Sequence, residues 1–307
     1  MNHTVTSGVA PAALPTRPRG RWRKHFWGFA FVLPAVAIFL LFLWMPIVKG
    51  LIYSLYDIDF VKGNTFVGLD NYRMVLKDPD MLISVRNTLY YMLLCIAIGF
   101  WVPILFAIAI SEMRKGQGFA RVAAYLPYVV PVVVLYGLWR WLYDPVGPIN
   151  FVLTKLGIPQ ISFMTDTKWS MASIVIMETW QQFGSAMLIY LAAVLSVPRD
   201  WYEAAEIDGA GVWRRIRHIT LPAIRGQIAL LFVLQLIANS QGYQSQLAML
   251  DGGPNNATLT YSLYIVKTAF NRLDYGTASA LGVLMFLVLA ALAVAQNRLS
   301  KRGGDAS

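Results

Sequence analysis

Apolar residues in this chain neither alternate with polar ones, as in a half-buried strand, nor fall into a single helical stripe; they run together. Six long runs cover residues 25–48, 87–111, 122–139, 169–198, 226–250 and 275–297, and Glu178 is the only formal charge inside any of them. Crossing a bilayer as an α-helix takes about 20 residues, with a range of about 17–25, so each run can supply one span. The third run is the shortest and contains Pro127 and Pro131, which predicts a span kinked at those prolines. The pattern predicts an all-α integral membrane protein with six transmembrane helices.

Composition agrees. Hydrophobic residues make up 57% and charged residues 14%, against about 45–50% and about 25% in ordinary globular proteins. Mean hydropathy is +0.53. A length of 307 residues would suit two soluble domains, but a soluble fold has no place to hide this much apolar surface. A disulfide scaffold is excluded, since Cys95 is the only cysteine; within an apolar run it reads as a small hydrophobe rather than a ligand or nucleophile.

The net charge of +10 raises the question of a nucleic-acid partner, and its distribution answers it. With six spans both termini share one side. That side, with loops 112–121 and 199–225, carries 16 Lys and Arg and nets +10; the other carries 10 and nets +1. The positive-inside rule places both termini and the 199–225 loop in the cytoplasm. The excess charge is topological, and no nucleic-acid partner is expected. Residues 1–25, rich in Pro, Thr, Ala and Gly, read as a disordered cytoplasmic tail, 26–297 as the membrane domain and 298–307 as a second cytoplasmic tail. The first apolar run is too long for a signal-peptide core, and no A-x-A site follows it.

Catalytic signatures are missing from the sequence. There is no G-x-x-x-x-G-K-[ST], G-x-S-x-G or H-E-x-x-H, and His3, His25 and His218 are scattered. A lone intramembrane carboxylate, Glu178, is not a catalytic constellation. No enzyme activity is expected, and any ATP-driven step would need another chain.

The 199–225 loop is the most informative segment. Pro198 and Asp200 open a short helix with acids in its first turns, which suits the helix dipole. Ala204 and Ala205 leave a flat patch for the close approach of another backbone. Gly209 and Gly211 let the chain turn. A second short helix carries Trp213, Ile216 and Ile219 at helical spacing, and Leu221-Pro222 ends it and starts span five. Composition alone would suit an amphipathic interfacial segment.

The residue order says more. "EAAEIDGAGVWRRIRHITLP" resembles the E-A-A-x-x-D-G-A loop of binding-protein-dependent ABC transporter permeases. The resemblance implies that Glu203, Ala204, Ala205, Asp208, Gly209, Ala210 and Gly211 form the element that couples to an ATPase subunit. "FVGLDNY", "NTLYY", "YLPYVVP", "DPVGPINFVL" and "GGPNNAT" are similar to the carbohydrate-uptake branch, on the side of the larger subunit of the maltose transporter. This implies a bacterial or archaeal cytoplasmic membrane protein, half of a translocation pathway for a sugar or oligosaccharide. It would work with a second, different permease subunit, an ATPase dimer that binds ATP and Mg, and an extracytoplasmic sugar-binding protein; no cofactor is expected in this chain.

Polar residues cluster in two spans. Glu178, Gln181, Gln182 and Ser185 recur at helical spacing in the fourth, and Gln235, Asn239, Gln241, Gln244 and Gln246 crowd the fifth. Any one amide can be explained by interhelical hydrogen bonding, worth about 0.6 kcal/mol in a bilayer; the cluster points to a lined cavity. Alignment on the maltose-type pattern implies substrate contacts at Tyr128, Val132, Glu178, Gln181, Gln182, Ser185, Asn239 and Gly242. Glu178 argues against an anionic substrate. The rival reading is a self-sufficient secondary transporter with Glu178 as proton carrier. Inverted repeats would favour it, and none is visible.

Overall fold

A computed structural model describes residues 31–304, with side chains described through Val294; the expected tail at 1–25 lies outside the described residues. The chain divides into two compact units, Met1–Ile52 and Tyr53–Ser307. The first contributes most of one apolar helix, α1 (Phe31–Tyr53), with a π-helical turn at Leu40–Trp44.

The second unit opens with a small antiparallel pair, β1 (Tyr56–Asp57) and β2 (Thr65–Phe66), in the register Tyr56↔Phe66 and Asp57↔Thr65. Helices follow: α2 (Asp70–Lys77), α3 (Pro79–Glu112), α4 (Gln117–Val129), α5 (Val132–Leu142), α6 (Pro148–Lys155) and α7 (Ser170–Leu195). The chain continues through α8 (Arg199–Ile207), α9 (Val212–Ala223), α10 (Arg225–Ser240), α11 (Gln244–Leu250), α12 (Tyr261–Phe270) and α13 (Tyr275–Gly304). Among the described residues, three helices are long and apolar enough to cross a membrane unaided: α1, α3 and α13. The count reaches six when each of three bent pairs is one span: α4 with α5 at 94°, α7 with α8 at 68°, and α9 with α10 at 67°.

The bends have local causes. The third run is not merely kinked. Pro127 is accommodated inside α4, and the break falls at Val130 and Pro131, whose ψ values of 132° and 128° are extended. A residue before proline is driven out of the α region by the ring. The fifth run is also interrupted, contrary to the single span expected over 226–250: α10 stops at Ser240 and α11 begins at Gln244. In a bilayer the freed carbonyls need donors, and α12 and its N-cap residue supply them. Thr260 Oγ1 donates to the Gly242 carbonyl at 3.2 Å, and Ser262 Oγ to that of Ser240 at 3.1 Å. Pro222 does not end the short helix that precedes this span; α9 runs through it to Ala223, and buried Ile224 makes the turn.

α7 is the axis of the second unit and packs along the second half of α3 and along α4. The contact with α4 is close because Gly184 has no side chain: a Cβ there would overlap the Ala124 carbonyl. Phe100, Ile104, Met187, Tyr190 and Leu191 fill the core at that end of α7, while Leu135, Trp139, Ile174 and Met177 fill it near the other. Asparagines in the motifs that carry the resemblance hold loops to helices. Asn71 donates to the Ser54 and Tyr56 carbonyls, each at 2.9 Å. Asn150 donates to the carbonyls of Asp144 and Ile161 and accepts from the Ile161 N–H. Asn87 donates to the carbonyls of Asn256 and Leu259 at 2.6 and 3.1 Å. Buried amides bonded this way tie distant segments with few residues.

Candidate functional site

Two features of the second unit can do chemistry or mechanical work. The first is a cleft of about 280 Å³ between α3, α7 and α10. α7 brings Glu178, Thr179, Gln182 and Ser185 to it on successive turns, α10 brings Gln235 and Asn239, and α3 brings Cys95 and Gly99. The α3 wall is a π-helical turn, Cys95–Gly99, an irregularity frequent at functional sites. A Cβ on Gly99 would lie 3.0 Å from Thr179 Oγ1, so α3 and α7 approach closely there.

Tyr91 holds the cleft's only charged side chain. Its hydroxyl donates to Glu178 Oε2 at 2.6 Å, from the helical turn of α3 that precedes Cys95. Gly242, at the break between α10 and α11, backs onto the same tyrosine: a Cβ there would lie 3.5 Å from the Tyr91 hydroxyl. Ser245 pairs with the Tyr136 hydroxyl at 3.2 Å and also interacts with Glu178. The carboxylate, carried by α7, thus meets groups from α3 and α11. Hydroxyls and amides in such a cleft can bind a neutral polyhydroxylated molecule, whereas no set of groups there resembles a nucleophile with its base.

The second feature is the loop between α7 and α10. Arg215 fixes it, reaching Glu206 on α8 at 3.4 Å and Glu112 at the end of α3 at 3.6 Å, and the Tyr202 hydroxyl meets Thr220 Oγ1 at 3.0 Å. α8 ends in a tight turn in which the Ala210 N–H bonds the Ala205 carbonyl at 2.8 Å. Gly209 needs its lack of a side chain, since its φ is +73°. Gly211 does not; it is extended, with φ −65° and ψ 164°, and precedes α9. Glu203, Ala204 and Asp208 are exposed. A groove of about 800 Å³ runs between α8 and the start of α10, with Ala204, Ala205 and Asp208 on its wall.

The chain that carries this cleft and loop resembles known proteins. The family described as binding-protein-dependent transport system inner membrane component matches residues 96–303. The chain belongs to that family. Diacetylchitobiose uptake system permease protein NgcF of Streptomyces coelicolor is 32% identical over 98% of this chain and 91% of its own length. Trehalose/maltose transport system permease protein MalF of Thermococcus litoralis is 28% identical over 88% of this chain and 92% of its own. A bacterial ABC transporter that imports the acidic polysaccharide alginate contains a chain of the same fold, with TM-score 0.81 and 27% identity, covering 91% of this chain and 96% of that one. The fold is that of an ABC importer permease, and the protein is a membrane component.

Within this permease the sequence-derived substrate positions separate. Glu178, Gln182, Ser185 and Asn239 line the cleft. Gln181 does not: it lies on the flank of the Glu178 stripe opposite to Thr179, Phe183 and Ala186, which do line the cleft. Gly242 does not line the cleft; it lies against Tyr91, whose hydroxyl bonds Glu178. Tyr128 and Val132 flank the α4–α5 break, exposed and away from the cleft. Sequence reasoning passed over Tyr91 and Thr179 as site residues. Tyr91 sits in the "NTLYY" segment, but a tyrosine in an apolar run carries no mark that its hydroxyl reaches a carboxylate 87 positions away.

Proposed function

We propose that this permease forms half of the translocation pathway of an ATP-driven, binding-protein-dependent importer for a sugar or oligosaccharide. The observation that carries the reading is the cleft of Glu178, Gln182, Gln235 and Asn239 inside apolar helices, in a chain whose family match spans 96–303. Relatives named for diacetylchitobiose and for trehalose and maltose support the substrate class, and a structural relative has been seen with a ligand-bound periplasmic protein.

In this reading both termini and the 199–225 loop face the cytoplasm. α8, with Glu203, Ala204, Ala205 and Asp208, followed by the Gly209–Gly211 turn, docks on an ATPase dimer that holds ATP and Mg. A different permease chain completes the pathway, and a sugar-binding protein delivers substrate from outside. Closure of the ATPases moves the loop; Arg215 transmits that motion to α3 through Glu112, so the α3 wall of the cleft shifts with it. The test is reconstitution. Labelled sugar should enter vesicles only with all four kinds of component and ATP. Uptake by the purified single chain, driven by a proton gradient, would refute the proposal and establish a secondary transporter.

A further inference from the structure

The end of the bundle that carries the 199–225 loop also carries the turn between α3 and α4. α3 stops where Met113 becomes extended, with ψ 127°, and Gly116, with φ +79°, starts α4. Gln117 makes the turn rigid. Its Nε2 donates to the Met113 carbonyl at 2.8 Å and, at 3.4 Å, to that of Ser111. Its Oε1 accepts from Arg121 Nη2 at 3.2 Å, which holds the guanidinium beside the turn.

Three cations gather here: Arg114 and Lys115 in the turn, and Arg121 in the second turn of α4. Glu112 is the only acid between Asp80 and Asp144, and it faces Arg215 at 3.6 Å. Arg114 and Lys115 are exposed, and among the described residues none of the three cations forms an ion pair.

The charge stands at the foot of an apolar stripe. Phe119, Val122, Leu126 and Val129 recur at helical spacing on α4 and are all exposed, Phe119 to 81%. Ala124 and Pro127, on the other side of the helix, are buried. In a membrane component such a stripe suits acyl chains, and basic side chains at its end reach the headgroup layer on their long stems. Phosphate is the headgroup component that fits them. Arg guanidinium groups bond it in a bidentate fork, and Lys meets it as a point charge. A zwitterionic lipid brings its own cation and gains little from three more; an anionic lipid gains from each.

We propose that the α3–α4 turn is a binding site for an anionic phospholipid. Its phosphate lies among Arg114, Lys115 and Arg121, and an acyl chain lies along Phe119 and Val122. Glu112, just before the turn, pairs with Arg215 of the 199–225 loop, so the lipid sits beside the joint between that loop and α3. The site is independent of the solute that the permease carries.

Photolabelling of the assembled transporter in nanodiscs tests it. The probes are phosphatidylglycerol and phosphatidylcholine with the same diazirine-bearing acyl chain, and labelled residues are mapped by mass spectrometry. Labelling is normalised to the exposed residues 286–288 of α13. At low salt, residues 113–122 should label about tenfold more with phosphatidylglycerol than with phosphatidylcholine, and high salt should reduce the ratio. Arg114→Gln, Lys115→Gln and Arg121→Gln should each lower it, by up to about fivefold, and the triple variant should bring it close to one. Equal labelling of the wild type by the two probes would overturn the proposal, whatever the variants do. An absence of lipid labelling at 113–122 would also overturn it and show that another subunit covers the turn. Loss of the preference on adding soluble glycerol phosphate would overturn it in favour of a free-anion site.

Discussion

Asp78 joins three jobs in one carboxylate. Its Oδ1 caps α3 by accepting from the Asp80 N–H at 2.9 Å. Its Oδ2 accepts from the Tyr264 hydroxyl at 2.7 Å and from Arg272 at 2.9 Å, while the same guanidinium reaches Asp80 at 2.8 Å. The head of α3 is thereby clamped to α12 and the turn that follows it. Removing a cap costs about 1 kcal/mol, and losing a hydrogen bond to a charged acceptor about 1.5–3 kcal/mol. The ion pair adds about 0.2–1 kcal/mol, because Arg272 is half exposed. The three share one group and do not simply add, so Asp78→Ala is expected to cost about 2–4 kcal/mol. Asp78→Asn keeps one oxygen, enough for the cap, but its Nδ2 only donates, so the bond from Arg272 is lost and Tyr264 must turn its hydroxyl to accept; it should cost about 1–2 kcal/mol. The assay is the thermal midpoint of the detergent-solubilised transporter, with Asp78→Ala below Asp78→Asn and both below wild type. Equal midpoints for the two variants would refute the reasoning.

The same residue sets a pH dependence. Burial acts to raise the Asp78 carboxyl, but the hydrogen bonds from Tyr264, the Asp80 N–H and Arg272 outweigh it and hold it below the ordinary value of 3.8. A depressed folded-state value contributes stability that is present above the unfolded-state value and lost as pH falls through the folded one. In an acid series the wild type should therefore lose this increment below about pH 4, and Asp78→Asn should not.

Two further outcomes follow from the backbone. Gly184→Ala puts a methyl into the Ala124 carbonyl, where backbone cannot move aside as a side chain would; overpacking of about 1–3 kcal/mol should reduce recovery of assembled transporter. Gly282→Ala, with nothing within 4 Å of the added carbon, should not, and equal recovery of the two would contradict the α4–α7 contact. Gly209→Pro and Glu203→Lys should both uncouple ATP hydrolysis from uptake without preventing insertion. The first forbids a φ of +73°, the second reverses charge on an exposed face of α8, and normal coupled transport in both would remove the coupling role of the loop.

Much of this protein is legible in its sequence, for reasons that are local. Hydropathy marks the apolar helices because a bilayer demands about 20 apolar residues per crossing. The turn after α8 is legible because only glycine adopts a φ of +73° at little cost, and the boundary between α4 and α5 because proline dictates the conformation before it. Glu178 stands out because an uncompensated charge in an apolar run is expensive. The interruption between Ser240 and Gln244 was not legible. An apolar segment can break in a membrane only where its freed carbonyls find donors, and those come from Thr260 and Ser262, about twenty residues further on. The cleft was half legible: helical spacing puts Glu178, Gln181 or Gln182, and Ser185 along one face, but nothing in the chain order says which helix meets that face or that Gln182 rather than Gln181 enters the cleft. Only tertiary packing brings Tyr91 of α3 to Glu178 of α7 and Asn239 of α10 into the same cavity. A hydrogen bond between residues 87 positions apart depends on the angles and separations of whole helices, which small residues such as Gly99 and Gly184 allow through contacts that the pattern of polar and apolar positions does not encode.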